Sequence, residues 1–188
     1  TGQANQTTIF QNTSNTPISI AGNGSTLNLT ISSNNTNYPI KSVFNADGGV
    51  INISSNLNTT INNKLNLFSL FRSANGGKIV FTGNLNIDLT NTTASLQHNG
   101  IYYKSIFDIV NASVEINQDS TKNISLIGDI YSNSGVLRAN FTSATSKFEG
   151  KMILRGDEFK NGTNYKPFET TLSFSNTASG NMQIKTQG

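Results

Sequence analysis

A loosely repeated phrase constrains this chain more than any other feature. Ser42-Val43-Phe44-Asn45-Ala46-Asp47-Gly48-Gly49-Val50-Ile51-Asn52-Ile53 is echoed by Ser69-Leu70-Phe71-Arg72-Ser73-Ala74-Asn75-Gly76-Gly77-Lys78-Ile79-Val80-Phe81. A looser third copy is Ser105-Ile106-Phe107-Asp108-Ile109-Val110-Asn111-Ala112-Ser113-Val114-Glu115-Ile116. The first two run an apolar strand through an Asn/Asp/Gly turn into a second strand; the third lacks the Gly pair. The copies start 27 and 36 residues apart, and self-similarity at a period of about 20–50 residues marks a solenoid. A solenoid of strands offers a long contact surface before it offers a reaction centre.

Strand patterning runs through the rest of the chain. Thr26-Leu27-Asn28-Leu29-Thr30-Ile31, Asn84-Leu85-Asn86-Ile87-Asp88-Leu89 and Asn123-Ile124-Ser125-Leu126 alternate apolar with polar residues. A period of two puts the apolar side chains on one face, the pattern of a sheet buried on one side. No sustained stripe of helical period is present. Gly22-Asn23-Gly24, Asp47-Gly48-Gly49, Asn75-Gly76-Gly77, Asn99-Gly100, Asn133-Ser134-Gly135 and Asn161-Gly162 read as turns, because Gly and Asn tolerate a left-handed backbone. Such strands and turns fit a β-sandwich or a β-solenoid, and the repeat selects the solenoid. Asn is about one residue in six, and stacked coils give Asn a structural role in amide ladders.

The composition excludes several classes. Charged residues are 12% of the chain, about half the usual share of roughly 25%. With 3 Pro and a net charge of +3, the chain lacks the Pro-rich, highly charged signature of disorder. Residues 1–40 carry no charged side chain and the cations elsewhere are scattered, so no basic stripe for nucleic acid is expected. There is no Cys, which removes disulfides and thiolate metal sites and suits a chain that crosses a bacterial envelope unfolded. No apolar run approaches the roughly 18 residues of a membrane span.

Two stretches interrupt the repeat and are expected as insertions, residues 93–104 and 156–168. Residues 1–40 are expected as starting or capping coils and 41–188 as the β-helix proper. Insertions in repeat arrays map to loops on one face.

Ile127-Gly128-Asp129-Ile130, then Ser134-Gly135-Val136-Leu137-Arg138-Ala139-Asn140-Phe141, then Ser146-Lys147-Phe148-Glu149-Gly150-Lys151-Met152 resemble passenger domains of bacterial autotransporters. Those passengers are similar in repeating a Gly-Asp-Ile element, an alternating strand and a Ser-x-Phe-x-Gly turn. The copies around Phe44 and Phe71 resemble the vacuolating-toxin-like branch. The resemblance covers residues 40–155, with an echo at Leu172-Ser173-Phe174 and Gly180-Asn181-Met182. It implies an all-β, right-handed parallel β-helix, exported through an outer-membrane barrel made by the same polypeptide, and this chain as a fragment or processed passenger.

Catalytic patterns are sparse. The one His, His98, adjoins Asn99-Gly100 in an expected loop, and no Gly-x-Ser-x-Gly turn is present. Asp157-Glu158 is the only adjacent acidic pair, and neighbours in a strand face opposite ways. Polysaccharide-active β-helices remain the enzymatic rival, since two acids can meet across stacked coils. No calcium nonapeptide is present, so neither metal nor cofactor is expected. Asn-x-Ser/Thr sequons are numerous, including those that begin at Asn28, Asn52, Asn111, Asn123, Asn140 and Asn161, and the abundance of Asn, Ser and Thr explains most of them.

The expected function is therefore non-enzymatic: an adhesin at the bacterial surface or secreted, binding a host-cell protein or glycan, or joining bacteria by self-association. Neither nucleic acid nor membrane insertion by this region is expected. Tyr102 and Tyr103 in the first insertion, with Lys160, Tyr165 and Lys166 in the second, are the candidate contacts, because Tyr offers a flat face with a hydroxyl; the same rings would also serve as packing on the solenoid's side. The alternatives are a contact region of a vacuolating-type toxin and a β-helical spacer.

Overall fold

The computed structural model describes residues 7–22, 24–32, 40–62, 65–94, 96–98, 101–116, 122–141, 146–155, 171–176 and 183–186. Among them all regular structure is β. The first coil is β1 (Thr7–Asn12), β2 (Ile18–Ile20) and β3 (Thr26–Ser32), and the second is β4 (Ile40–Asp47), β5 (Val50–Ile53) and β6 (Asn56–Asn62). The third is β7 (Leu65–Ala74), β8 (Lys78–Phe81) and β9 (Leu85–Asp88). Three short strands follow, β10 (Thr92–Ala94), β11 (Leu96–His98) and β12 (Ile101–Tyr103). The fourth coil is β13 (Ser105–Val110), β14 (Ser113–Ile116) and β15 (Ile124–Ile127). The fifth is β16 (Asp129–Asn133), β17 (Val136–Phe141) and β18 (Lys147–Gly150), and the sixth is β19 (Met152–Arg155), β20 (Thr171–Asn176) and β21 (Gln183–Thr186).

Each coil lends one strand to each of three sheets. Sheet A runs β1-β4-β7-β13-β16-β19, sheet B β2-β5-β8-β14-β17-β20, and sheet C β3-β6-β9-β15-β18-β21. Neighbouring strands in all three are parallel. The chain is thus a three-sided parallel β-helix, as the repeat predicts. The repeated phrases stack in register: Phe44 lies beside Phe71 and Phe71 beside Phe107, while Ile51 lies beside Ile79 and Ile79 beside Val114.

The Asn/Gly turns form the corner between sheets A and B. Asn75, Gly76, Asn111 and Ser134 all have positive φ there, at 52°, 79°, 49° and 54°, conformations that Gly and Asn adopt at low cost. Successive corners bond along the axis, Gly48 N–H to the Ala74 carbonyl (2.9 Å) and Asn75 N–H to that of Val110 (3.2 Å). A Cβ on Gly77 would overlap the Ala46 carbonyl, so only Gly lets the third coil lie so close to the second.

The Gly-Asp-Ile element makes the corner between sheets C and A. The buried Asp129 carboxylate accepts from Lys104 N–H (2.5 Å) and Lys151 N–H (2.8 Å). One side chain thereby ties together the entrances of the fourth, fifth and sixth coils. Gly150 of the Ser-x-Phe-x-Gly turn lies against Gly128, where a Cβ would overlap the Gly128 carbonyl.

Alternation holds in sheets B and C. In β5 and β8, Ile51, Ile53, Ile79 and Phe81 are buried beside half-buried neighbours, and in β9 Leu85 and Ile87 are buried beside exposed Asn86 and Asp88. Phe10, Phe44 and Phe71 form a continuous stack with ring centroids 5.0 and 5.2 Å apart, and Phe81 meets Phe71 edge-on at 4.8 Å.

Sheet A departs from the one-buried-face pattern. β13 buries every residue from Ser105 to Ile109 and β16 buries all five of its own. The register also shifts between Ser105 and Phe107 where β13 meets β16, a bulge that breaks strict alternation, while β4 buries Ser42 to Ala46 without one. Asn45, Arg72, Asp108 and Tyr131 form one row across four coils, and Arg72 is ion-paired with Asp108. Burial pushes the Asp108 carboxyl above its usual range, against the pull of the Arg72 guanidinium and the Lys41 charge.

Candidate binding face

Sheet C carries two columns of Asn with different partners. Asn56, Asn84 and Asn123 stand where sheet B turns into sheet C. Asn84 N–H donates to Asn56 Oδ1 (2.9 Å), Asn123 N–H donates to Asn84 Oδ1 (2.6 Å), and Ser146 Oγ bonds Asn123 Oδ1 at 3.3 Å. These amides satisfy backbone donors that a corner removes from the ladder. Their role is structural.

Two residues further along, Asn28, Asn58 and Asn86 form the second column, with strand neighbours in direct register. Asn58 Nδ2 donates to Asn28 Oδ1 (3.2 Å), and Asn86 Nδ2 donates to Asn58 Oδ1 (2.8 Å). Asn28 and Asn86 are exposed and Asn58 is half-buried. An amide has two N–H donors and two acceptor positions, so the ladder bonds leave capacity directed at solvent. Exposed Thr30 and Thr60 pair beside it. The result is a face of amides and hydroxyls, uncharged in the first two coils and flanked by exposed Asp88 in the third, repeating at roughly the 4.8 Å strand spacing. Ser125 and then Lys147 continue the row in the next coils.

The outer face of sheet B differs. Glu115 bridges Lys78 (2.7 Å) and Arg138 (3.4 Å), joining the third, fourth and fifth coils. Pairs this exposed contribute about 0–1 kcal/mol each. Among the described residues no three His, Cys, Asp or Glu side chains gather where they could hold a metal ion.

Two of the residues singled out from the sequence are among the described ones. Tyr102 and Tyr103 lie in β12, which pairs antiparallel with β11 between the third and fourth coils: Tyr102 is opposite Gln97, Tyr103 opposite Leu96 and His98 opposite Ile101. Lys160, Tyr165 and Lys166 lie outside the described residues, as do Asp157 and Glu158. The column Asn28–Asn58–Asn86 was not among the expected contacts. Its signal is Asn at alternating strand positions spaced 30 and 28 residues apart, hidden by the abundance of Asn elsewhere. No protein-family model matches this chain, and neither does any curated protein or solved structure.

Proposed function

We propose that this chain is a passenger region of a bacterial autotransporter, surface-exposed or secreted, that acts as an adhesin toward host cells or other bacteria. The observation that carries this reading is the exposed amide ladder of sheet C. Side chains fixed one per coil present donors and acceptors whose positions are set before a ligand arrives, which lowers the ordering cost of binding. Glycans fit this chemistry, because their hydroxyls both donate and accept. Several weak contacts in register add by multivalency. The Gly-Asp-Ile and Ser-x-Phe-x-Gly resemblance supports the export route. The hairpin bearing Tyr102 and Tyr103 stands as a second contact on the same reading.

The test is binding of labelled, folded protein to epithelial cells and to bacteria lacking it, with free oligosaccharides as competitors. Saturable binding that sugars compete away is expected. Absence of binding to either cell type would overturn the adhesin reading and leave a spacer. Replacing Tyr102 and Tyr103 by Ala should weaken binding while the melting temperature holds; unchanged binding would remove the hairpin from the contact surface.

A further inference from the structure

The hairpin between the third and fourth coils accounts for the uneven spacing of the repeat. Ser42 and Ser69 lie 27 residues apart and Ser69 and Ser105 lie 36 apart, yet all three occupy one row of sheet A. Strand β10 pairs with the start of β7, Ala94 opposite Leu67, and β13 pairs with the rest of it, Ser105 opposite Ser69. One position of β7, Phe68, separates those two partners. The chain therefore leaves sheet A after Ala94 and rejoins it at Lys104. Residues 95–103 are nine in number, the same nine by which 36 exceeds 27. With them set aside, β10, Lys104 and β13 form one strand running along the whole of β7.

The point of return is fixed without the hairpin. Lys104 N–H donates to Asp129 Oδ2 (2.5 Å), Asp129 N–H donates to the Lys104 carbonyl (2.7 Å), and Lys104 Nζ donates to the Thr90 carbonyl (2.7 Å). These bonds tie Lys104 to β16 and to the turn that ends the third coil. Among the described residues β11 and β12 pair only with each other, and a two-stranded hairpin is marginal on its own in water. The hairpin thus draws its order from this base. Residues 95–103 contain no Asp, Glu, Lys or Arg and include Leu96, Ile101, Tyr102 and Tyr103.

We infer that residues 95–103 are a contact arm inserted into an otherwise continuous coil, dispensable for folding of the solenoid, which meets a protein surface. Charge is depleted and aromatic residues are enriched at the centre of protein–protein interfaces, and this uncharged, Tyr-bearing run has that composition. The contact role rests on the adhesin reading above; the insertion itself does not. The arm and the sheet C ladder then serve different partners, protein at the first and sugar hydroxyls at the second.

Deleting residues 95–103 tests both parts. The variant should place Lys104 opposite Phe68, keep its circular dichroism and melt within about 4 °C of the full chain. Failure to fold, or a larger loss, would overturn the insertion. Binding of the folded variant to epithelial cells should fall by about 10-fold or more, and a Gly/Ser linker of equal length in place of 95–103 should bind as weakly. Trypsin treatment of the cells should bring the full chain down to the variant's level, whereas enzymatic removal of cell-surface glycans should weaken both by the same factor. Arm-dependent binding that survives trypsin would overturn the protein partner. Equal binding by deletion and full chain would overturn the contact role and leave the adhesin reading standing. No binding by either would overturn that reading together with the contact role, while the melt still decides the insertion.

Discussion

Sheets A and C are built from the same coils with opposite outcomes. Sheet A buries the stacked Phe44 and Phe71 and the row members Asn45, Asp108 and Tyr131, with half-buried Arg72 of the same row ion-paired to Asp108. Sheet C buries Leu57, Leu85, Ile87, Ile124, Leu126 and Phe148 on one side and leaves its other side to amides and hydroxyls in the first coils, joined by Asp88, Lys147 and Glu149 further along. The difference teaches where each property resides. Side chains that join coils line sheet A and all three corners, whereas the outward side chains of sheet C bond one another and leave capacity toward solvent.

Substitutions can break that contrast. The largest effect should come from Phe71→Ala, since Phe71 touches Phe44, Phe81 and Phe107. Emptying that site should cost about 3–5 kcal/mol, read as a lower urea midpoint. A cost below about 1 kcal/mol would place the stabilising core elsewhere. Asn84→Ala comes next. It removes the acceptor for Asn123 N–H in the corner column, and an orphaned donor costs about 1–3 kcal/mol. Asn58→Ala, two positions from Asn56 on the exposed ladder, should stay within about 0.5 kcal/mol of wild type. Equal costs for the two would erase the division between structural and available amides.

A smaller effect tests sheet A by pH. Asp108 has a folded pKa raised above its unfolded value. The native state therefore holds the proton to higher pH, and the contribution of this group is full in acid and declines as pH rises through the raised value. Thermal melts of wild type and Asp108→Asn should show wild type losing ground to the variant as pH climbs from about 4 toward neutrality. A difference that runs the opposite way would mean that the Arg72 attraction outweighs burial.

Much of the architecture was legible in the sequence because the repeat and the pleat share a physical cause. Phe44, Phe71 and Phe107 recur because each coil must fill the same space, and Asn75-Gly76-Gly77 recurs at a corner that admits no Cβ on Gly77. Gly128-Asp129-Ile130 was visible as a motif, but its clamp on Lys104 and Lys151 N–H depends on coils above and below, which local pattern does not encode. The burial of sheet A escaped for a similar reason. Asn45 and Asp108 look like outward polar residues of alternating strands, and only the stacking of four coils reveals their shared row. Asn28, Asn58 and Asn86 were hidden by numbers: one residue type fills both the corner column and the exposed ladder.

The most direct measurement is cell binding by the triple variant Asn28→Ala, Asn58→Ala and Asn86→Ala, with its melting temperature taken alongside. Binding reduced by at least about 10-fold with the melt within a few degrees of wild type is the result this account predicts. Unchanged binding by a folded triple variant would contradict it, and would move recognition off sheet C.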